Sequence, residues 1–66
     1  MNVMLNGDHR ELPDQATLQW LVDDLGLAGK RLAIEVNEDI VPRSRHSDYR
    51  LNDGDRVEVV HAIGGG

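Results

Sequence analysis

The sequence predicts an α+β fold, a mixed sheet of four to five strands with one main helix packed on one face. Two patterns carry that prediction. Short stretches at the start, middle and end of the chain alternate apolar and polar residues with a period of two, as half-buried strands do. Between the earlier and later stretches, Leu18, Leu21, Val22 and Leu25 recur at i, i+3, i+4 and i+7, one apolar stripe of a helix. The 66 residues allow one small domain. A domain of that size buries only about 60% of the surface its unfolded chain exposes. So thin a core leaves little room for a catalytic cleft, typically ~300–1,000 Å³.

From Asn2 to Asn6, Val3 and Leu5 share one face and Met4 the other, which reads as a first strand. Gly7-Asp8 supplies a turn pair, and His9 to Leu12 returns as a second strand that ends at Pro13, which cannot donate to a ladder. Thr17 is the expected helix N-cap, with Asp14 upstream favouring the positive helix start, and Gly26 is placed for a left-handed C-terminal cap. A helix this short is unstable alone and must lie on a sheet. Leu32 to Asn37 alternates again, with Leu32, Ile34 and Val36 on one face and Ala33 and Glu35 on the other. Glu38-Asp39 is the expected turn before Ile40-Val41, which stops at Pro42. Arg43 to Arg50 is polar and without period, and Asn52-Asp53-Gly54-Asp55 is a strong turn signal. Arg56 to Ile63 forms the last strand, with Val57 and Val59 toward the core.

The helix supplies a crossover, so the last strand is expected beside the first and parallel to it. A hairpin, a crossing helix and a later strand pair arranged this way make the β-grasp, or ubiquitin-like, architecture. Residues 1–63 form the domain in this reading, and residues 64–66 a flexible glycine tail.

Composition removes several kinds of chemistry. The absence of cysteine excludes disulfides, a cysteine nucleophile and thiolate metal sites. Seven Lys and Arg against twelve Asp and Glu give a net charge of -5, which disfavours phosphate backbones and favours a basic protein partner. No apolar run approaches a membrane span, and the opening MNVMLNGDHR lacks the pattern of a signal peptide, so no membrane contact is expected and the expected compartment is the cytoplasm. His9, His46 and His61 show no metal-ligand spacing and read as surface or strand histidines. No metal or bound cofactor is expected.

The terminal Gly64-Gly65-Gly66 remains. A glycine-rich end is compatible with simple fraying. Here, however, the strand runs into the glycines with no polar spacer, and the main-chain carboxylate of Gly66 is the last functional group. Without Cβ atoms such a segment is thin and conformationally free, and three extended residues reach about 10 Å into a narrow channel. A carboxylate becomes an acyl donor once its oxygen joins a good leaving group, which adenylation by ATP would provide.

The chain resembles the ThiS family, sulfur carriers of thiamine (thiazole) biosynthesis. The resemblance rests on Ala33-Ile34-Glu35-Val36-Asn37 with Ile40-Val41-Pro42-Arg43-Ser44, on Asp53-Gly54-Asp55-Arg56-Val57-Glu58-Val59-Val60, and on Gly64-Gly65-Gly66. The opening strand and the Thr17-Leu18 helix start extend it over essentially the whole chain. One departure is His46, in a stretch where many relatives carry a tryptophan. The resemblance implies that a ThiF-like, E1-like enzyme adenylates Gly66 and consumes ATP. A cysteine-derived persulfide then supplies sulfur for a terminal thiocarboxylate, and thiazole synthase takes it. The chain would be a co-substrate and not a catalyst. A molybdopterin-synthase small subunit, another sulfur carrier, an isopeptide-forming modifier and a binding module with an inert tail are the rival readings.

The same alternation that buries Val57 and Val59 turns Val60 and Ala62 to the opposite face of the sheet, as it does Met4 and Ala33. These four residues are the expected partner-binding surface, an apolar centre beside the root of the tail with Glu35 and Glu58 around it.

Overall fold

The computed structural model describes residues 1–61. In chain order these form β1 (Asn2–Leu5), β2 (Asp8–Glu11), α1 (Leu18–Asp24), β3 (Leu32–Val36), β4 (Asp39–Ile40), a single 3₁₀ turn (Arg43–Arg45) and β5 (Arg56–His61). The sheet order is β2-β1-β5-β3-β4. β1 and β5 run parallel, with Met4 opposite Arg56 and Leu5 opposite Val57, and the other three pairings are antiparallel. This is the expected β-grasp arrangement. Ala62 and Ile63, the last two residues of the anticipated final strand, lie outside the described residues, as do Gly64, Gly65 and Gly66.

Both hairpin turns fall one residue earlier than the sequence suggested. The two-residue loops are Asn6-Gly7, with φ of 48° and 88°, and Asn37-Glu38, with φ of 50° and 75°. A tight hairpin turn matching the twist of its strands needs positive φ at both central residues, and asparagine enters that region more readily than most residues. Asparagine therefore draws each turn onto itself. Glu38 holds a left-handed conformation with a full side chain, at a typical cost of about 1–2 kcal/mol. Glu38→Gly is expected to raise stability by about 0.5–1 kcal/mol once the larger chain entropy of glycine is deducted. Urea denaturation would show this as a higher midpoint at unchanged slope.

α1 begins and ends as its caps dictate. Thr17 is extended, and its Oγ1 accepts the N–H of Trp20 at 3.0 Å. At the other end Gly26 has φ of 73°, its N–H donates to the Asp23 carbonyl at 3.0 Å, and the Leu27 N–H donates to the Val22 carbonyl at 3.0 Å. That pair of bonds is a Schellman closure. Asp14 does not serve the helix start. Its Oδ1 lies 3.4 Å from the Met1 ammonium, which also donates to the Leu12 carbonyl at 2.8 Å and pairs with Glu11 at 3.0 Å. The Glu11 carboxylate, aided by Asp14, raises the pKa of that ammonium above its ordinary value.

Leu18, Leu21 and Val22 of α1 meet Val3, Ile34, Val36 and Val57 of the sheet. Leu12, Ala16, Val41 and Leu51, from the connecting segments, complete the core. The polar stretch after β4 is more than a loop. His46 was expected at the surface or in a strand, yet it is buried, with 4% of its area exposed. Its Nε2 lies 3.0 Å from the Val41 carbonyl, which can only accept, so Nε2 carries the proton. The carbonyls of His46 and Tyr49 accept the otherwise unpartnered N–H groups of Gln19 and Leu18 at 3.0 and 2.9 Å. This segment therefore closes the N-terminal turn of α1.

Candidate functional site

β5 carries the chain toward its glycine end, and two devices fix its course. On one side it is zipped to β3 along its length, from Val36 opposite Val57 to Leu32 opposite His61. On the other side β1 stops at Leu5, and the Asn6 side chain takes over. Asn6 Oδ1 accepts the Val59 N–H at 2.8 Å, and Asn6 Nδ2 donates to the Val59 carbonyl at 3.2 Å. A side-chain amide thus substitutes for one residue of a neighbouring strand.

The root of β5 is tied by the segments that carry the family resemblance. Asp55 is buried, with Oδ2 accepting the Asn52 N–H at 2.7 Å and Oδ1 accepting from Asn37 Nδ2 at 3.0 Å. Asn37 Oδ1 in turn accepts the Arg56 N–H at 3.0 Å, and the Asn37 N–H donates to the Arg56 carbonyl at 2.8 Å. Asp53 Oδ1 accepts the N–H of Asn2 at 2.6 Å. The Val-Asn and Asp-Gly-Asp blocks are therefore joined to each other in space. Their part is to seat β5 between β1 and β3, and they offer no reactive group.

On the sheet face away from α1, alternation places the side chains as expected, and the register decides which of them meet. Ala33 lies directly opposite Val60. Both are exposed, Val60 to 59%. Met4, by contrast, pairs with Arg56, four residues back along β5, about 13 Å from the level of Val60. Glu58 intervenes on the same face. Ala62, the fourth residue of the expected surface, lies outside the described residues. The sequence reading passed over Ile40, which is opposite Glu35 in β4 and 74% exposed. The apolar part of this face is thus Val60 and Ala33, with Ile40 one row away and Met4 apart.

Between those apolar groups run two carboxylates. Glu35 and Glu58 are directly opposite one another across β3 and β5, and neither forms an ion pair among the described residues. Like charges in that position are mildly destabilising to a sheet. The row is one that a cation from outside would relieve. Among the described residues no group of three or more metal-binding side chains converges. Gly64, Gly65 and Gly66, the predicted reactive segment, lie beyond the described residues, and the geometry fixes only the strand that leads to them.

Comparisons with known proteins bear on the family and the fold. The model of the ThiS family matches residues 3–66. The sulfur carrier protein ThiS of Bacillus subtilis is 35% identical over 65 residues, covering 97% of this chain and 98% of that protein. A thiazole synthase of Paramagnetospirillum magneticum is 38% identical over 66 residues, all of this chain, and the chain spans only 20% of that protein's length. The solved structure of a thiamine biosynthesis protein (ThiS) from Geobacter metallireducens superposes with a TM-score of 0.84 at 26% identity, covering all of both chains. Since the family match begins in β1 and includes the last glycine, this chain belongs to the ThiS family.

Proposed function

We propose that this chain is a sulfur carrier of thiamine biosynthesis, working through the Gly66 carboxylate. The observation that carries the reading is the family match over residues 3–66, which runs from the sheet to the terminal glycine. The main-chain carboxylate attacks the α-phosphorus of ATP on a ThiF-like, E1-like enzyme, and pyrophosphate leaves. The terminal sulfur of a cysteine-derived persulfide then attacks the acyl carbon and displaces AMP. A thiol reduces the resulting acyl disulfide and leaves the thiocarboxylate, from which thiazole synthase takes sulfur. The thiazole synthases that contain a stretch similar to this chain support that last partner. The protein is consumed and regenerated as a co-substrate. Intact mass spectrometry tests the scheme. With ATP, an adenylating enzyme and a persulfide source, the chain should gain the mass difference between sulfur and oxygen. An unchanged mass with an active adenylating enzyme would sink it.

Val60 and Ala33 form the centre of the docking face in this reading, and Glu35 and Glu58 form its charged rim. Met4, level with Arg56 and about 13 Å from the level of Val60, is an outlying contact of this face, and Ala62 completes the proposed contact set. The overall charge of -5 and the unpaired glutamates suit partners that present an apolar patch flanked by Lys or Arg. One face serves the adenylating enzyme and thiazole synthase in turn. Val60→Asp should weaken both associations by at least about tenfold, the scale of a buried anchor residue. Its melting temperature should change little, because Val60 is largely exposed and lies outside the hydrophobic core. Unaltered binding to both partners would remove this face from the scheme.

A further inference from the structure

The end of β5 is electrostatically unlike the rest of the molecule. Twelve acids stand against seven bases in the chain, yet five of the bases fall between positions 30 and 50. Three of these gather where β5 ends. Arg31 directly precedes Leu32, which is opposite His61, the last described residue of β5. Lys30 precedes Arg31, and Arg43 of the 3₁₀ turn lines one recess with Lys30 and Leu32. All three side chains are exposed. None pairs with a carboxylate among the described residues, where Arg10 and Arg56 take the side-chain ion pairs. The beginning of β5 has the opposite sign. Glu38 lies in the turn beside Arg56, Asp53 and Asp55 precede the strand, and Glu11 and Asp14 flank Met1. The molecule is therefore polarised along β5, acidic at its root and basic at its exit.

Scattered surface cations are ordinarily solvated and contribute little. Position sets this group apart. An enzyme that acts on the Gly66 carboxylate must accept whatever surrounds the strand leading to it. Five residues follow His61, and fully extended they reach roughly 16–18 Å. With the tail drawn into a channel, groups at the level of His61 meet the surface around the channel mouth. The nucleotide lies deeper, at the carboxylate, beyond the reach of these side chains. Protein carboxylates, and not phosphates, are the anions at their depth.

We infer that Lys30, Arg31 and Arg43 form a docking surface for a group of Asp and Glu side chains on the adenylating enzyme, at the mouth of the channel that takes the tail. The inference rests on the carrier reading above and adds to the face around Val60 a second contact of opposite sign. Carboxylates of the enzyme meet the end of the sheet, while its cations meet Glu35 and Glu58. A pattern of two signs admits one rotation of the carrier about its tail, because a half turn would bring like charges together.

The test is adenylation of the full chain by a ThiF-like enzyme, followed as exchange of pyrophosphate into ATP over a range of carrier concentrations. Lys30→Glu, Arg31→Glu and Arg43→Glu should each raise the KM for the carrier about two- to fivefold, the scale of exposed charge pairs. The triple variant should raise it more than about tenfold, with a weaker response to sodium chloride than the wild type. kcat should hold, since the three side chains stand apart from the carboxylate. Melting should hold as well, because they are exposed and unpaired. Arg50→Glu makes the same change of charge outside this group and is the control, with the wild-type KM expected. An unchanged KM in all three variants, an equal rise in Arg50→Glu, or a rise in the KM for ATP in place of that for the carrier would overturn the surface and leave the carrier reading standing. No exchange with the wild-type chain and an active enzyme would overturn both.

Discussion

Deletion of Gly66 is expected to abolish thiocarboxylate formation while the domain keeps its melting temperature. The separation of the two effects follows from where the core ends. Its buried apolar residues run from Val3 to Val57, so the hydrophobic core of the described residues is complete before the last glycines. The chemistry depends on the carboxylate's position. Shortening the chain by one residue withdraws the acyl carbon by roughly 3.3–3.6 Å, and about 1 Å of misplacement can already cost 10²-fold in rate. Gly65→Val should act in the same direction through a different cause, as its branched side chain widens and stiffens the segment. Growth without thiamine of a carrier-deficient strain is the readout, with intact mass as its biochemical counterpart. Full rescue by the shortened chain would refute the carrier reading.

Asp55→Ala should bring the largest loss of stability among polar substitutions. The carboxylate is buried and accepts from both the Asn52 N–H and Asn37 Nδ2. Hydrogen bonds to a charged group contribute about 1.5–3 kcal/mol each, and removing the acceptor leaves both donors in place without it. A loss of about 2–4 kcal/mol is expected, against a total stability of only 5–15 kcal/mol for typical domains. Asp55→Asn keeps one acceptor and should fall between the two. Urea denaturation decides the matter. A loss under about 0.5 kcal/mol, the usual range for surface changes, would show that the junction of the Val-Asn and Asp-Gly-Asp blocks carries little of the fold.

Much of the architecture was legible because each regular element advertises itself with a period. Val3 and Leu5, Ile34 and Val36, and Val57 and Val59 are spaced by two, and the helix stripe runs from Leu18 to Leu25. Thr17 and Gly26 marked its ends for reasons of hydrogen bonding and φ, and both act as caps. The segment from Val41 to Leu51 was not legible. Its buried residues, Val41, His46 and Leu51, come five apart, match no regular period and include a polar ring. The docking face shows a subtler limit. Alternation tells which way Met4, Ala33 and Val60 point, yet their neighbours across the sheet depend on register, set by long-range pairing. Register joined Ala33 to Val60, moved Met4 beside Arg56, and left Ile40 exposed in a strand too short to show alternation. The glycine end was legible as chemistry alone, since its meaning lies in a terminal functional group and not in packing.

The parallel pairing of β1 with β5 has a practical consequence for handling the protein. With Met4 level with Arg56, the first residue lies behind that level and His61 ahead of it, about 25 Å apart along the strand direction. An affinity tag or fluorophore joined ahead of Met1 therefore emerges at the opposite end of the sheet from His61. A label placed after Gly66 would convert its acid into an amide and remove the acyl donor outright. Immobilisation through the amino end is thus the geometry in which partner binding and sulfur loading can be followed on one surface.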